Sequence, residues 1–183
     1  MIRLAATSVN SIDIKIREGA LSVAPQLPAV LGSDIAGTVE EVGQGVSGFS
    51  VGDEVYGCAG GVKVLGETLA EYIVADAKLI AIKAKNDLYA PSAAFPLVSI
   101  TAVQAFQRVA PTFTDHVLVH GGTGGVGHIG VQLAKVFGCL VATSVGTNDD
   151  FDQTRRCVCA VPARQPLSAQ DPHPWSPRHG LAL

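Results

Sequence analysis

Five glycines fall within the seven residues that follow His120 in the stretch Val117–Gly127, VLVHGGTGGVG. Gly122, Gly124 and Gly127 fit G-x-G-x-x-G, the spacing at which a strand turns into a helix beneath a diphosphate. In that arrangement Gly122 allows the tight turn and Gly124 lets the main chain approach the pyrophosphate. Gly127 lets the helix close on the strand. The amides at the helix start, near Gly125 and Val126, then face the phosphates with the positive end of the helix dipole behind them. The candidate phosphate-binding residues are therefore Gly121, Gly122, Gly124, Gly125, Val126 and Gly127. The same letters also suit a plain βαβ unit whose glycines serve packing alone.

The surrounding pattern favours the first reading. Val126, Ile129, Leu133 and Val136 or Phe137 recur at helical spacing, and Gly138 stands where a helix-ending glycine belongs. Leu140–Thr143 reads as a second short buried strand. Strand, helix and strand make a right-handed crossover the default. Upstream, residues 1–88 read as β-rich. Leu4–Val9 is a short apolar stretch, followed by a turn-prone region with Pro25 and Pro28. Glycines at 32, 37, 43, 45, 48, 52 and 57 alternate with Val, Ile and Phe, as short strands joined by turns would. Glu54–Tyr56 and Leu69–Val74 read as strands of a barrel or curled sheet. Between 89 and 115 the period turns helical, with a short helix broken at Pro96 and a longer one through Leu97, Ile100, Val103 and Phe106.

Bulk properties narrow the function classes. The chain has 183 residues, 48% of them hydrophobic and 16% charged, which favours a buried core over disorder. A net charge of −3 gives no electrostatic case for nucleic acid or an anionic membrane. No apolar run reaches the ~18 residues of a membrane span, and Arg3, Asn10, Asp13 and Lys15 break up any secretory signal. A soluble cytoplasmic protein is the expectation. The four cysteines, 58, 139, 157 and 159, lack zinc-finger spacing and read as free thiols. His120 reads as a packed residue.

Taken together, SVNSIDIKIREG (8–19), LPAVLGSDIAGTVEEVG (27–43), VGDEVYG (51–57), LAEYIVA (69–75), PLVSITAVQAF (96–106) and VLVHGGTGGVGHIGVQLAKVFG (117–138) resemble, in order, the zinc-independent medium-chain dehydrogenase/reductases of the quinone oxidoreductase group. The resemblance implies a GroES-like β barrel over residues 1–88, connecting helices over 89–115 and a partial Rossmann unit, a doubly wound parallel sheet, over 116–156. It also implies hydride transfer from a nicotinamide cofactor to a small quinone or enone, with a homodimer as a compatible state. Zinc-dependent relatives carry a Cys just before the region of Asn10–Asp13 and a His-Glu pair where this chain has Ser33-Asp34. They also carry four close structural cysteines. Those ligands are missing here, so no zinc is expected.

Without zinc, the protein must orient the nicotinamide and polarise the substrate oxygen. By resemblance, Asn10 and Thr101 lie near the nicotinamide end and are the candidate catalytic and cofactor-binding residues. Each also has a bland reading, a turn residue for Asn10 and a back-bonded helix residue for Thr101. Tyr56 is a weaker candidate for lining the substrate cleft. NAD-preferring folds place an acid about 20 residues past the glycine turn. That position falls at Ala142–Ser144, where no acid stands. Thr143 and Ser144 leave room for a 2′-phosphate, so NADPH is expected. The lysine that many relatives supply soon afterwards is missing, and Asn148-Asp149-Asp150 stands in its region. A short-chain dehydrogenase is excluded because no tyrosine has a lysine four residues on.

Both ends depart from the family. The family normally has one or two strands before the segment that matches residues 8–19, and here Met1 stands only a few residues ahead of it. After about Arg155 the resemblance fades, and residues 157–183 hold five of the ten prolines and no helical or strand period. An unstructured tail of non-family sequence is expected, from a shifted frame or a wrongly predicted end. The nucleotide domain reads as truncated and its activity as impaired. The rival reading is a non-catalytic fragment, either an interaction module or an artefact of gene prediction.

Overall fold

The computed structural model describes residues 1–22, 29–61, 67–146, 159–162 and 179–181. Two compact units meet between Leu97 and Val98. The first is built on a five-stranded antiparallel sheet. Its strands are β1 (Ile2–Thr7), β2 (Asp34–Val39), β3 (Glu54–Cys58), β4 (Tyr72–Ile73) and β5 (Ile80–Ile82), in the order β4-β1-β2-β3-β5. Alternation explains its core. Ile2, Ile35, Val39, Val55 and Ile73 turn to one side and are buried together, with Phe49 and Leu79 against them. The Leu69–Val74 strand expected from sequence is only two residues long, because β1 pairs with Tyr72 and Ile73 alone.

One helix here was not expected. Helix α1 (Ser11–Arg17) follows Asn10 directly, in the region read as turn-prone. Its signal is local. The Asp13 carboxylate accepts the Asn10 N–H at 2.7 Å, one half of a capping box. Ile16, 1% exposed, supplies the buried face. A shorter helix, α2 (Tyr89–Ala94), belongs to the same unit.

A buried cation ties α2 to the sheet. Lys83 is 3% exposed. Its ammonium donates to the carbonyls of Ala84 at 2.9 Å and Asp87 at 2.6 Å, and it lies 2.9 Å from a Glu54 carboxylate oxygen. The Tyr89 hydroxyl donates to Glu54 at 2.8 Å, and the ammonium sits 5.3 Å from the Tyr89 ring centre. The bond to Lys83, then that to Tyr89, holds the Glu54 carboxyl below the usual range. A depressed folded value means that Glu54's contribution is whole above the ordinary carboxylate pKa. It is lost as pH falls through the folded value. Lys83→Met is expected to cost about 2 kcal/mol at neutral pH, from carbonyls that lose a charged donor. It should also flatten the fall in stability below pH 4.5. Urea unfolding at several pH values checks both.

From Pro96 onward the helical expectations hold. Pro96 opens α3 (Pro96–Val109), where its missing N–H costs nothing. β6 (His116–His120), α4 (Gly125–Val136) and β7 (Leu140–Val145) follow. β6 and β7 run parallel, with Val117 opposite Val141 and His120 opposite Ser144. Gly138, at φ +75°, ends α4 in the left-handed region and releases the chain into β7. Phe106, Val117, Val119, Val131, Ala134 and Cys139 form the core. Phe106 and Phe137 stack with ring centres 5.8 Å apart.

Two short strands fall within residues 157–183. β8 (Cys159–Pro162) lies parallel to β7, and β9 (His179–Leu181) lies parallel to β6, giving the order β8-β7-β6-β9. Open edges of a two-stranded parallel ladder offer unpaired N–H and C=O groups to any extended segment that reaches them. Pro162 is compatible because β8 is an edge strand of this sheet. The rest of the segment lies outside the described residues, as do Asn148, Asp149 and Asp150. Among the described residues, no helix is long and apolar enough to cross a membrane.

Candidate functional site

The glycine turn forms one polar edge of the second unit. Gly124 is the N-cap of α4 and, as a glycine, brings no capping side chain to that helix end. The amides of Gly125, Val126 and Gly127 occupy its first turn, where no intrahelical acceptor exists. Gly124 and Gly125 are exposed and Val126 is half-buried, so these donors are not sealed inside a core. The turn is also held from within. The Gly124 N–H donates to the Gly121 carbonyl at 2.9 Å, and the Gly122 N–H donates to the Ser144 carbonyl at 3.0 Å.

Each glycine of the motif answers to a different constraint. A Cβ on Gly127 would run into the Gly121 carbonyl oxygen, with that carbonyl carbon at 2.7 Å and the Gly122 Cα at 2.9 Å. A Cβ on Gly122 would strike the Thr143 side chain. A Cβ on Gly124 would meet only the Gly121 oxygen, at 3.2 Å. Packing therefore demands Gly127 and Gly122. Packing bears only lightly on Gly124.

Thr143 and Ser144 divide their work. Thr143 is fully buried and donates to the Val119 carbonyl at 2.6 Å. Its hydroxyl clips β7 to β6, and a ligand cannot reach it. Ser144 is half-buried, and its Oγ accepts the Gly121 N–H at 3.1 Å. His120 is exposed rather than packed, because the last residue of β6 lies beyond the helix-covered part of the strand. Its Nδ1 lies 3.1 Å from the same Oγ. Thr101 is exposed on α3.

The first unit gathers a polar cluster around Asp34, which is 0% exposed. Ser8 donates to Asp34 Oδ2 at 2.6 Å and the Asn10 amide nitrogen donates at 2.9 Å. The Leu97 N–H donates to Oδ1 at 2.8 Å. Asn10 Nδ2 also lies 3.0 Å from Ser8 Oγ, so its orientation is fixed by acceptors that cannot be exchanged. Asn10 is thus held by a neighbouring strand, not only by its own turn. Asp13, 4% exposed, stands beside it and accepts from Ser33 at 3.4 Å. Asp34 is an organising residue that the sequence candidates do not include. The signal was an acid inside an apolar run with no Lys or Arg beside it, which must find hydrogen-bond donors once buried.

Cys58 pairs with Asp34 across the β2–β3 ladder, and Tyr56 lies half-buried on the same face of β3. Burial foremost, then the charges of Asp34 and Asp13, pushes the Cys58 thiol up to about 11. The folded value lies above the ordinary 9.0. Any stability tied to the neutral thiol is whole below that pH and is lost as pH rises through the folded value. Iodoacetamide at pH 8 is expected to label Cys58 at least about tenfold more slowly in the folded chain than in urea. Peptide mapping checks this. Among the described residues, no three His, Cys, Asp or Glu side chains gather as a metal-ligand set.

Comparison with known proteins agrees with this layout. Residues 1–85 match the alcohol dehydrogenase GroES-like domain. The chain is 41% identical over 153 residues to the 2-methylene-furan-3-one reductase of Solanum lycopersicum, covering 79% of this chain and 39% of that protein. It is 35% identical to the chloroplastic NADPH-dependent alkenal/one oxidoreductase of Arabidopsis thaliana, over 85% of this chain and 42% of that one. It is 36% identical to the quinone oxidoreductase of Sus scrofa, over 81% and 44%. The chain thus spans less than half the length of these relatives. An alcohol dehydrogenase superfamily protein from Novosphingobium aromaticivorans superposes with a TM-score of 0.85 at 36% identity, over 90% of this chain and 50% of the other. The first unit is thus an alcohol dehydrogenase GroES-like domain, and with the parallel βαβ unit opened by a glycine turn the chain is similar to the quinone and enone oxidoreductases of the medium-chain dehydrogenase/reductases.

Proposed function

We propose that the chain carries the catalytic-domain and phosphate-turn parts of an NADPH-dependent, zinc-free reductase of quinones or enones. The observation that carries this reading is the uncapped start of α4, whose first-turn amides sit beside an exposed Gly124. A diphosphate supplies the acceptors that those amides lack. The residues fit that group, because the space in front of Gly124 is one that a side chain at this position would fill.

The nicotinamide supplies the hydride when it is bound. This chain's residues bind and orient. Gly125, Val126 and Gly127 hold the phosphates by main-chain donors, and Ser144 stands at the edge where the adenosine ribose would lie. Asn10, fixed by Asp34 and Ser8, is a pre-set polar group for the nicotinamide end, and Thr101 is its proposed companion. Tyr56 is assigned to the substrate side. Ser33 stands where zinc-dependent relatives place a histidine, and Cys58 has no neighbouring thiol among the described residues. Both support hydride transfer without a metal.

Titration of the chain with NADPH, followed by nicotinamide fluorescence, tests the reading. A saturable rise, competed by NADP, is expected. No saturation at millimolar NADPH would remove the cofactor assignment. NADPH oxidation that depends on an added quinone or enone tests the substrate class.

A further inference from the structure

The described residues from His116 to Val145 contain a single charged side chain, Lys135, at the far end of α4 from the glycine turn. No acid lies in that span to repel an anion. At the C-terminal ends of β6 and β7, His120 and Ser144 stand opposite each other on neighbouring parallel strands. They lie on the sheet face away from the one that Val117 and Val119 bury against α4. His120 is exposed, with its Nδ1 3.1 Å from Ser144 Oγ, and that oxygen already accepts the Gly121 N–H at 3.1 Å. The pair is therefore tied to the first residue of the phosphate turn.

We infer that His120 and Ser144 form the element that reads a 2′-phosphate on the cofactor's adenosine. The inference rests on the dinucleotide reading above and says how that site tells NADPH from NADH.

Hydrogen-bond bookkeeping supports it. Ser144 Oγ spends one lone pair on the Gly121 N–H. It keeps one proton and one further lone pair. With a neutral imidazole, the serine proton goes to Nδ1 and the outward donor is Nε2–H. With an imidazolium, Nδ1–H donates to Oγ and the serine proton is released outward. The pair then offers two donors and a positive charge to one phosphate monoester. NADH, which carries a hydroxyl there, has no use for the charged form. His120 thus stands in for the arginine or lysine that commonly meets a 2′-phosphate.

The test uses the full chain with two probes, adenosine 2′,5′-bisphosphate and adenosine 5′-monophosphate. Affinities come from calorimetry, and the imidazole nitrogens are followed by ¹⁵N NMR. The wild type is expected to prefer the bisphosphate by about tenfold, the worth of one charge-assisted hydrogen bond. His120→Asn keeps a polar group near Ser144 but carries no charge. It should bring the preference to within about twofold while leaving the monophosphate affinity unchanged. Ser144→Ala should also bring the preference to within about twofold, by an independent route. The His120 Nε2 resonance should move with the bisphosphate and not with the monophosphate. Equal loss of both nucleotides in His120→Asn, or an unchanged preference in both variants, overturns the assignment. Equal binding of the two probes by the wild type overturns it while sparing the dinucleotide reading. Binding of neither probe overturns both.

Discussion

Asp34→Ala is expected to cost about 3–5 kcal/mol of folding stability, one of the two largest effects of a single side chain in this protein. The carboxylate is fully buried and receives three donors: Ser8, Asn10 and the Leu97 N–H. Alanine removes all three acceptor contacts at once. It leaves donors in a pocket where Thr7, which donates to the Asp34 carbonyl at 2.7 Å, and the buried Ser33 are already engaged. Each unsatisfied buried donor costs about 1–3 kcal/mol, and partial hydration returns some of that. Ser8→Ala deletes one donor and leaves the carboxylate two others, so about 1 kcal/mol is expected there. Urea unfolding followed by circular dichroism measures both. A loss below about 1 kcal/mol in Asp34→Ala would mean that water reaches the cluster and that Asn10 is not rigidly held.

Gly127→Ala and Gly124→Ala are expected to fail in opposite ways. At Gly127 the new methyl meets the Gly121 carbonyl and the Gly122 Cα, all backbone, so no flexible side chain can move aside. The helix must lift from the strand, at about 3 kcal/mol, and NADPH binding should go with it. At Gly124, φ is −73° and the methyl meets one oxygen at 3.2 Å. Stability should change by less than about 1 kcal/mol, yet the methyl stands over the amides that would face the phosphates. NADPH affinity should fall by at least about tenfold. Thermal unfolding and NADPH titration, run on both variants, separate the two effects. A Gly124→Ala chain that binds NADPH as tightly as the wild type would show that these amides do not hold the phosphates.

Much of this was legible from residue order because its causes are local. G-x-G-x-x-G between an apolar strand and an amphipathic run specifies a turn whose geometry depends on the missing Cβ atoms themselves. The helix broken at Pro96 and the glycine after α4 follow from the same kind of short-range chemistry. α1 was also local, in the N-x-x-D cap at Asn10, but a two-residue signal is lost beside the prolines that follow. The lengths of β4 and β5 were not legible, since a strand ends where its neighbour stops pairing, and the β1 ladder takes in only Tyr72 and Ile73 of β4.

The site divides along the same line. Sequence by itself determined that the chain has a glycine turn of G-x-G-x-x-G spacing, that no acid follows it at Ala142–Ser144, and that histidine and clustered cysteine ligands are missing. These are facts of residue type and spacing. Only the tertiary structure decided that Thr143 is a buried clip while Ser144 stays accessible, because adjacent residues of a strand face opposite sides of the sheet. Only folding could bring Ser8, Asn10 and Leu97 onto Asp34. Their separations in sequence range up to 63 residues, and the cost of burying an unpaired carboxylate is what draws them together.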